Sequence, residues 1–438
     1  MAIRSSTPTR RRSVPLSCAK VIALWKVGLQ SRASLEGTSF PRDFMKSAMR
    51  LTGGLVACVV VGIFMAGWRT GAAAAANSSE GVAAHPDKPE TKIANSWDPK
   101  AAAAYLDRRQ SWWMEWPRAQ RDHETFCVSC HTAVPYALSR SALRTALAEQ
   151  APSPNEQRLL DNVTKRVRLW KEVEPFYKDA DRGPYKSVES RGTESVLNAL
   201  ILSSRDAQSG QLSSDAYMAF ENMWAEQQIA GKQKGAWLWL HFNNEPWEAD
   251  DSDYFGATLA AVAIGIAPGN YRATPKVQTS LKLLREYLNR EFALQTTINR
   301  ILLLWAAAKL PGLLEPDRQK TIIAELLEKQ QADGGWSLSS LSGDWKRADG
   351  TPQETTSDGY ATGLITFVFQ QAGISSENVK LKRGLAWLTA HQDKMEGSWA
   401  AYSLNKNKEN HISPETALFM NDAATSYAVL SLTAANRR

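Results

Sequence analysis

Twelve stretches of this chain space their apolar residues as a helix does, and almost none alternates them as a strand does. The helical stretches run over 101–118, 134–148, 156–172, 193–204, 213–228, 254–266, 275–292, 295–310, 316–331, 359–372, 376–391 and 423–434. They come in pairs. One member is apolar and rich in small residues nearly all round, as in FGATLAAVAIGI at 255–266, ILLLWAAA at 301–308, YATGLITFVF at 360–369 and AATSYAVLSL at 423–432. A helix that is apolar on every side is buried on every side. The other member is amphipathic, as at 317–330 and 379–390. Alternating buried and half-exposed helices predict an all-α fold with an inner and an outer ring, an α/α toroid. An open α-solenoid of helix hairpins is the alternative. Inner helices start near 193, 254, 295, 359 and 423, the uneven spacing of repeats with variable loops.

The first 76 residues read apart from the rest. Residues 51–67 are apolar and uncharged, follow Lys46 and Arg50, and lead into an alanine run at 72–76. That is the order of a signal peptide, with cleavage expected near Ala76 and Met45 a possible start. An uncleaved signal anchor is the alternative, and Cys58 ends a lipobox-like LVAC. Residues 1–76 hold 11 basic and 2 acidic residues, which leaves 41 basic and 43 acidic residues beyond them. The basic charge therefore belongs to the leader. Nothing in the mature part points to nucleic acid, and a membrane is reached only through the leader. Residues 77–98 read as a flexible linker.

Of four cysteines, Cys18 and Cys58 lie in the leader, so the mature chain keeps Cys127 and Cys130 alone. They stand in Cys127-Val128-Ser129-Cys130-His131, a C-x-x-C-H. Two thiols at this spacing suit thioether links to the two vinyl groups of one haem c, and the adjacent imidazole suits the proximal iron position. A disulfide or a dithiol is the alternative. A zinc site needs two more ligands, and no second cysteine pair exists. With His131 as the proximal ligand, the sixth ligand is open among Met114, His123, Met218, Met223, His241, His391 and His411. A vacant sixth position favours ligand or peroxide chemistry, and a Met or His there favours electron transfer. The haem-bearing helical segment is expected over 99–190 and the toroid over 191–438.

Three repeats carry a further mark. Gln330, Gly334 and Trp336 read Q-x3-G-x-W; Gln392, Gly397 and Trp399 repeat it with one inserted residue; Gln227, Gly235 and Trp237 form a looser copy. This resembles the QW repeat of the squalene cyclase and prenyltransferase superfamily. The resemblance, over about 191–435, implies that a Gln ending one helix stacks on a Trp at the start of the next loop and ties neighbouring hairpins. It also implies a place for a general acid. Triterpene cyclases use the middle Asp of D-x-D-D, and residues 248–251 read E-x-D-D just before an inner helix. Asp250 would correspond to the proton donor, with Glu248 in place of the first Asp. The plainer reading is helix capping, because Asp358 and Asp422 also stand at inner-helix starts.

These features predict an exported mono-haem c-type protein on a toroid, in electron transfer or haem-based redox chemistry with a redox partner protein, outside the cytoplasm. Two further readings remain open. One is a cyclase, isomerase or lyase with Asp250 as acid and a hydrophobic or glycan ligand in the toroid cavity. The other is a ligand- or protein-binding toroid without catalysis.

Overall fold

The computed structural model describes residues 96–407 and 409–436. The leader, its start and cleavage points, and the linker up to residue 95 lie outside the described residues. Among these, no helix is long and apolar enough to cross a membrane.

In chain order the elements are α1 (Pro99–Glu115), β1 (Gln120–Arg121), β2 (Thr125–Phe126), α2 (Ala133–Ala146), α3 (Pro154–Arg168), α4 (Asp179–Arg182), α5 (Lys186–Ser209), α6 (Ser214–Glu226), α7 (Ser252–Ile266), α8 (Pro275–Glu291), α9 (Thr297–Lys309), α10 (Pro316–Glu328), α11 (Gly359–Gln371), α12 (Val379–Ala390) and α13 (Phe419–Ala435). All twelve stretches with helical spacing are helices. The pattern did not signal the one-turn α4 or the two-residue antiparallel ribbon β1–β2.

Helices α2, α5, α7, α9, α11 and α13 pack each on the next, and α13 packs back on α2. The ring is closed, so the fold is an α/α toroid and not an open solenoid. Helices α1, α3, α6, α8, α10 and α12 lie outside it, each against an inner neighbour. The burial follows the composition. Helices α7 and α11 are buried along nearly their whole length. Outer α8 buries one stripe, Val277, Leu281, Leu284 and Leu288, at three- to four-residue spacing.

The segment 99–190 is part of this ring. Its α2 is the sixth inner helix, packed between α13 and α5. Helix α2 did not read as an inner helix because it carries Ser139 and Arg140. Both are buried, and Arg140 is neutralised by Asp107 at 3.2 Å and Glu149 at 2.6 Å.

Three equivalent staples fasten the outer ring. Gln227, Gln330 and Gln392 each donate an amide N–H to the carbonyl of the glycine two residues before the Trp, Gly235, Gly334 and Gly397. Those glycines have φ of 100°, 99° and 80°, a left-handed turn that suits glycine. The same amides reach the next outer helix, at the carbonyls of Ser280 and Lys380, or at that of Asp98 where α1 begins. The indole N–H groups of Trp237, Trp336 and Trp399 bond back to Met223, Leu326 and Leu388, each four residues before its Gln. The copy looser in sequence has the same geometry. The third copy closes the ring, since Gln392 also accepts the Asp98 N–H at 2.6 Å, across 294 residues.

Candidate functional site

Outer and inner helices alternate along the chain, so the loops that lead into the inner helices gather at one end of the toroid. Bonds between them confirm this: Asn405 exchanges two hydrogen bonds with the Glu245 backbone, and Arg347 donates to the Ser403 carbonyl. The loop between α1 and α2 carries Cys127, Cys130 and His131 to this mouth.

That loop is held on every side. Asn162 of α3 pairs with both backbone groups of Phe126, at 2.8 and 3.0 Å. The Trp113 indole donates to the Cys127 carbonyl at 2.7 Å. Ser129 accepts the N–H groups of Thr132 and Ala133, which serves the open start of α2. Just before the motif, the Arg166 guanidinium binds Thr125 and pairs with Glu194 at 2.6 Å, with both charged side chains sealed from water.

Both thiols are buried and unjoined. Burial pushes the Cys127 thiol up to about 12 and that of Cys130 well above its ordinary value. His131 is half-buried. Its ring stacks on Phe419 at 3.8 Å, and Trp113 and Trp247 face it at 5.0 and 5.7 Å. Burial, and then the Arg109 charge, hold its pKa down to about 3, so the imidazole is neutral. Nδ1 lies 2.9 Å from Thr132 Oγ1. Thr132 donates to Asp422 Oδ2 at 2.7 Å. Asp422, on α13, is fully buried. It accepts from Arg109 Nε at 2.6 Å, Arg109 Nη2 at 2.9 Å and the Tyr105 hydroxyl at 3.0 Å, all on α1.

These residues fit a covalent haem c. The two thiols are free of each other, and the imidazole is neutral with Nδ1 engaged, which leaves Nε2 for iron. Trp113, Trp247 and Phe419 would give a group held by this imidazole an aromatic surround.

Asp250, the acid that the E-x-D-D pattern singles out, is exposed in the loop before α7. Its neighbours are less exposed: Glu245 is buried, and Glu248 and Asp251 are half-buried. Burial pushes Glu248 up to about 7, and it is close enough to Cys127 and Cys130 to raise both thiols. Burial, with Asp251 beside it, pushes Glu245 up to about 8. Asp251 ties α7 to α9 through Thr296 and Asn299. The capping expectation holds for Asp358, which accepts the Ala361 N–H at 2.9 Å and also holds Leu338. It does not hold for Asp422, which lies inside α13 and serves Arg109 and Thr132.

The candidate sixth ligands are scattered. Met114 and Met223 are core residues of α1 and α6, and Met218 is exposed on α6. His123 pairs with Asp122, and His391 stacks on Trp387 at 4.0 Å. His411 is half-exposed in the loop before α13. His241 stands at the mouth between Glu189 and Asp253, at 3.5 and 3.9 Å.

Glu248 gives the stability a pH dependence of definite sign. Its folded pKa of about 7 exceeds its ordinary 4.5, so the folded state holds the proton more tightly. That contribution is present below about pH 4.5 and is lost as pH rises through about 7. Glu248→Gln removes it. The stability gap between variant and wild type should widen in the variant's favour by about 1–3 kcal/mol from pH 5 to pH 8. Urea unfolding at the two pH values reads this, and parallel curves would show that Glu248 is already in contact with water.

No protein-family model matches the chain, and no curated protein matches it. Among solved structures, it is similar to a wild-type glycosidase at 12% identity and a TM-score of 0.44, over 77% of this chain and 98% of that one. It is also similar to a glycosidase variant in complex with glucose, at 11% identity and a TM-score of 0.43, over 77% and 97%.

Proposed function

We propose that this chain is an exported mono-haem c-type protein, with the haem covalently attached to Cys127 and Cys130 at the toroid mouth and His131 as the proximal ligand. The observation that carries this reading is the motif in its setting: two free thiols three residues apart beside a neutral imidazole whose Nδ1 is already engaged. Bound there, the group supplies one-electron redox chemistry. The chain's own part is to orient His131 through Thr132, to surround that imidazole with Trp113, Trp247 and Phe419, and to set an acid, Glu248, near the attachment point. Electron exchange with a partner protein outside the cytoplasm is the role that follows.

The test is protein from a host with c-type maturation. Wild type should carry about one haem per chain by pyridine haemochrome, and the haem should stay with the chain on denaturing electrophoresis, because thioethers are covalent bonds. Cys127→Ala with Cys130→Ala should abolish it. Colourless wild-type protein from a competent host would overturn the proposal in favour of a dithiol or disulfide.

A second reading rests on Glu248. A carboxyl held near neutrality at the mouth suits acid catalysis on a hydrophobic or glycan ligand. Glu248, not Asp250, is then the proton donor, and Glu248→Gln would abolish turnover while haem content stays unchanged.

A further inference from the structure

The hydrogen bonds behind His131 form a directed chain. Burial raises the pKa of Asp422, but the two N–H bonds and the charge of Arg109 oppose this and favour the carboxylate, which also takes the Tyr105 hydroxyl and can only accept. The single hydroxyl proton of Thr132 therefore goes to Asp422 Oδ2, at 2.7 Å. Its oxygen is left as an acceptor, and the 2.9 Å contact to His131 Nδ1 must be an Nδ1–H donating to it. The imidazole is fixed as the Nδ1–H tautomer with its lone pair on Nε2.

Resting on the haem reading above, we infer that Thr132 is a positioning residue that couples the buried Asp422 carboxylate to the proximal imidazole and lowers the reduction potential of the bound iron. The physical reason is general. A ligand imidazole that donates its other N–H to an acceptor backed by a carboxylate is more basic at the ligating nitrogen. A more electron-donating ligand favours the ferric over the ferrous state. The relay joins three elements, α1 through Arg109 and Tyr105, α2 through Thr132, and α13 through Asp422. These three meet where the ring closes, so the imidazole is set by the seam of the toroid and not by its own loop alone.

The experiment compares full-length wild type, Thr132→Val and Thr132→Ser from a maturation-competent host. Haem content is read by pyridine haemochrome and potential by spectroelectrochemical titration. Thr132→Val keeps the Arg109–Asp422 pair and removes only the hydroxyl. It should load the same haem and show a potential shifted to more positive values, and Thr132→Ser should restore the wild-type value. Equal haem content with an unchanged potential in Thr132→Val would overturn the relay. A shift that Thr132→Ser does not reverse would also overturn it, since a repacking effect and not the hydroxyl would then be the cause. If wild type takes up no haem, the haem reading fails, and the relay is read directly by histidine-selective 15N NMR. Wild-type His131 should then show Nδ1 protonated and Nε2 bare, with a shift towards the Nε2–H form in Thr132→Val. An Nε2–H wild type would overturn the relay as well.

Discussion

Asp422→Ala is expected to lower the unfolding free energy by about 3–5 kcal/mol, the cost of leaving a buried charge without its partner. Arg109 is only 4% exposed, and its Nε and Nη2 both end on this carboxylate. Tyr105 and Thr132 lose their acceptor in the same step, so two more buried hydroxyls are left short. The double change Arg109→Leu with Asp422→Leu should recover much of the loss, because no unpaired charge remains. Urea midpoints of the three proteins decide this. A single-variant loss below about 1 kcal/mol would mean that water reaches Arg109 and the seam is looser than it looks.

The second large effect is expected at Trp399. Its side chain is fully buried, its indole N–H bonds to Leu388 at 2.7 Å, and Trp97 packs on it at 6.2 Å. A Cβ on Gly359 would lie 2.5 Å from the Trp399 Cβ, so inner α11 has approached as closely as a glycine permits. Trp399→Ala should cost about 3–5 kcal/mol in lost burial and cavity formation. Trp399 belongs to the staple that ends on Asp98, so the damage should also be local. Hydrogen exchange in α1 should rise well ahead of exchange in α7, which lies away from the seam. Equal acceleration in α1 and α7 would show that the ring opens as one unit and that this staple has no special place in its closure.

The sequence by itself determined which segments are helices of more than one turn, and which of them face inward wherever the inner helix is apolar all round. Helices α7, α9, α11 and α13 declare themselves in this way, because a stripe-less apolar helix is stable only when enclosed. It also determined the staples, since Gln, Gly and Trp at short spacing are local features, and it placed Cys127, Cys130 and His131 together by adjacency alone. Only the tertiary structure decided that α2 is the sixth inner helix. Arg140 looks like a surface residue until Asp107 of α1 joins Glu149, from just beyond α2, in neutralising it. Only the fold set the exposure of acids two residues apart, Asp250 exposed and Glu248 half-buried, because exposure along an irregular loop depends on what packs over it. Only the fold set Asp422 behind His131, a partnership carried by Thr132 across 290 residues. Periodicity and motif report short-range order, whereas the charges that must be neutralised and the groups that orient the imidazole are supplied by chain segments that meet when the ring closes.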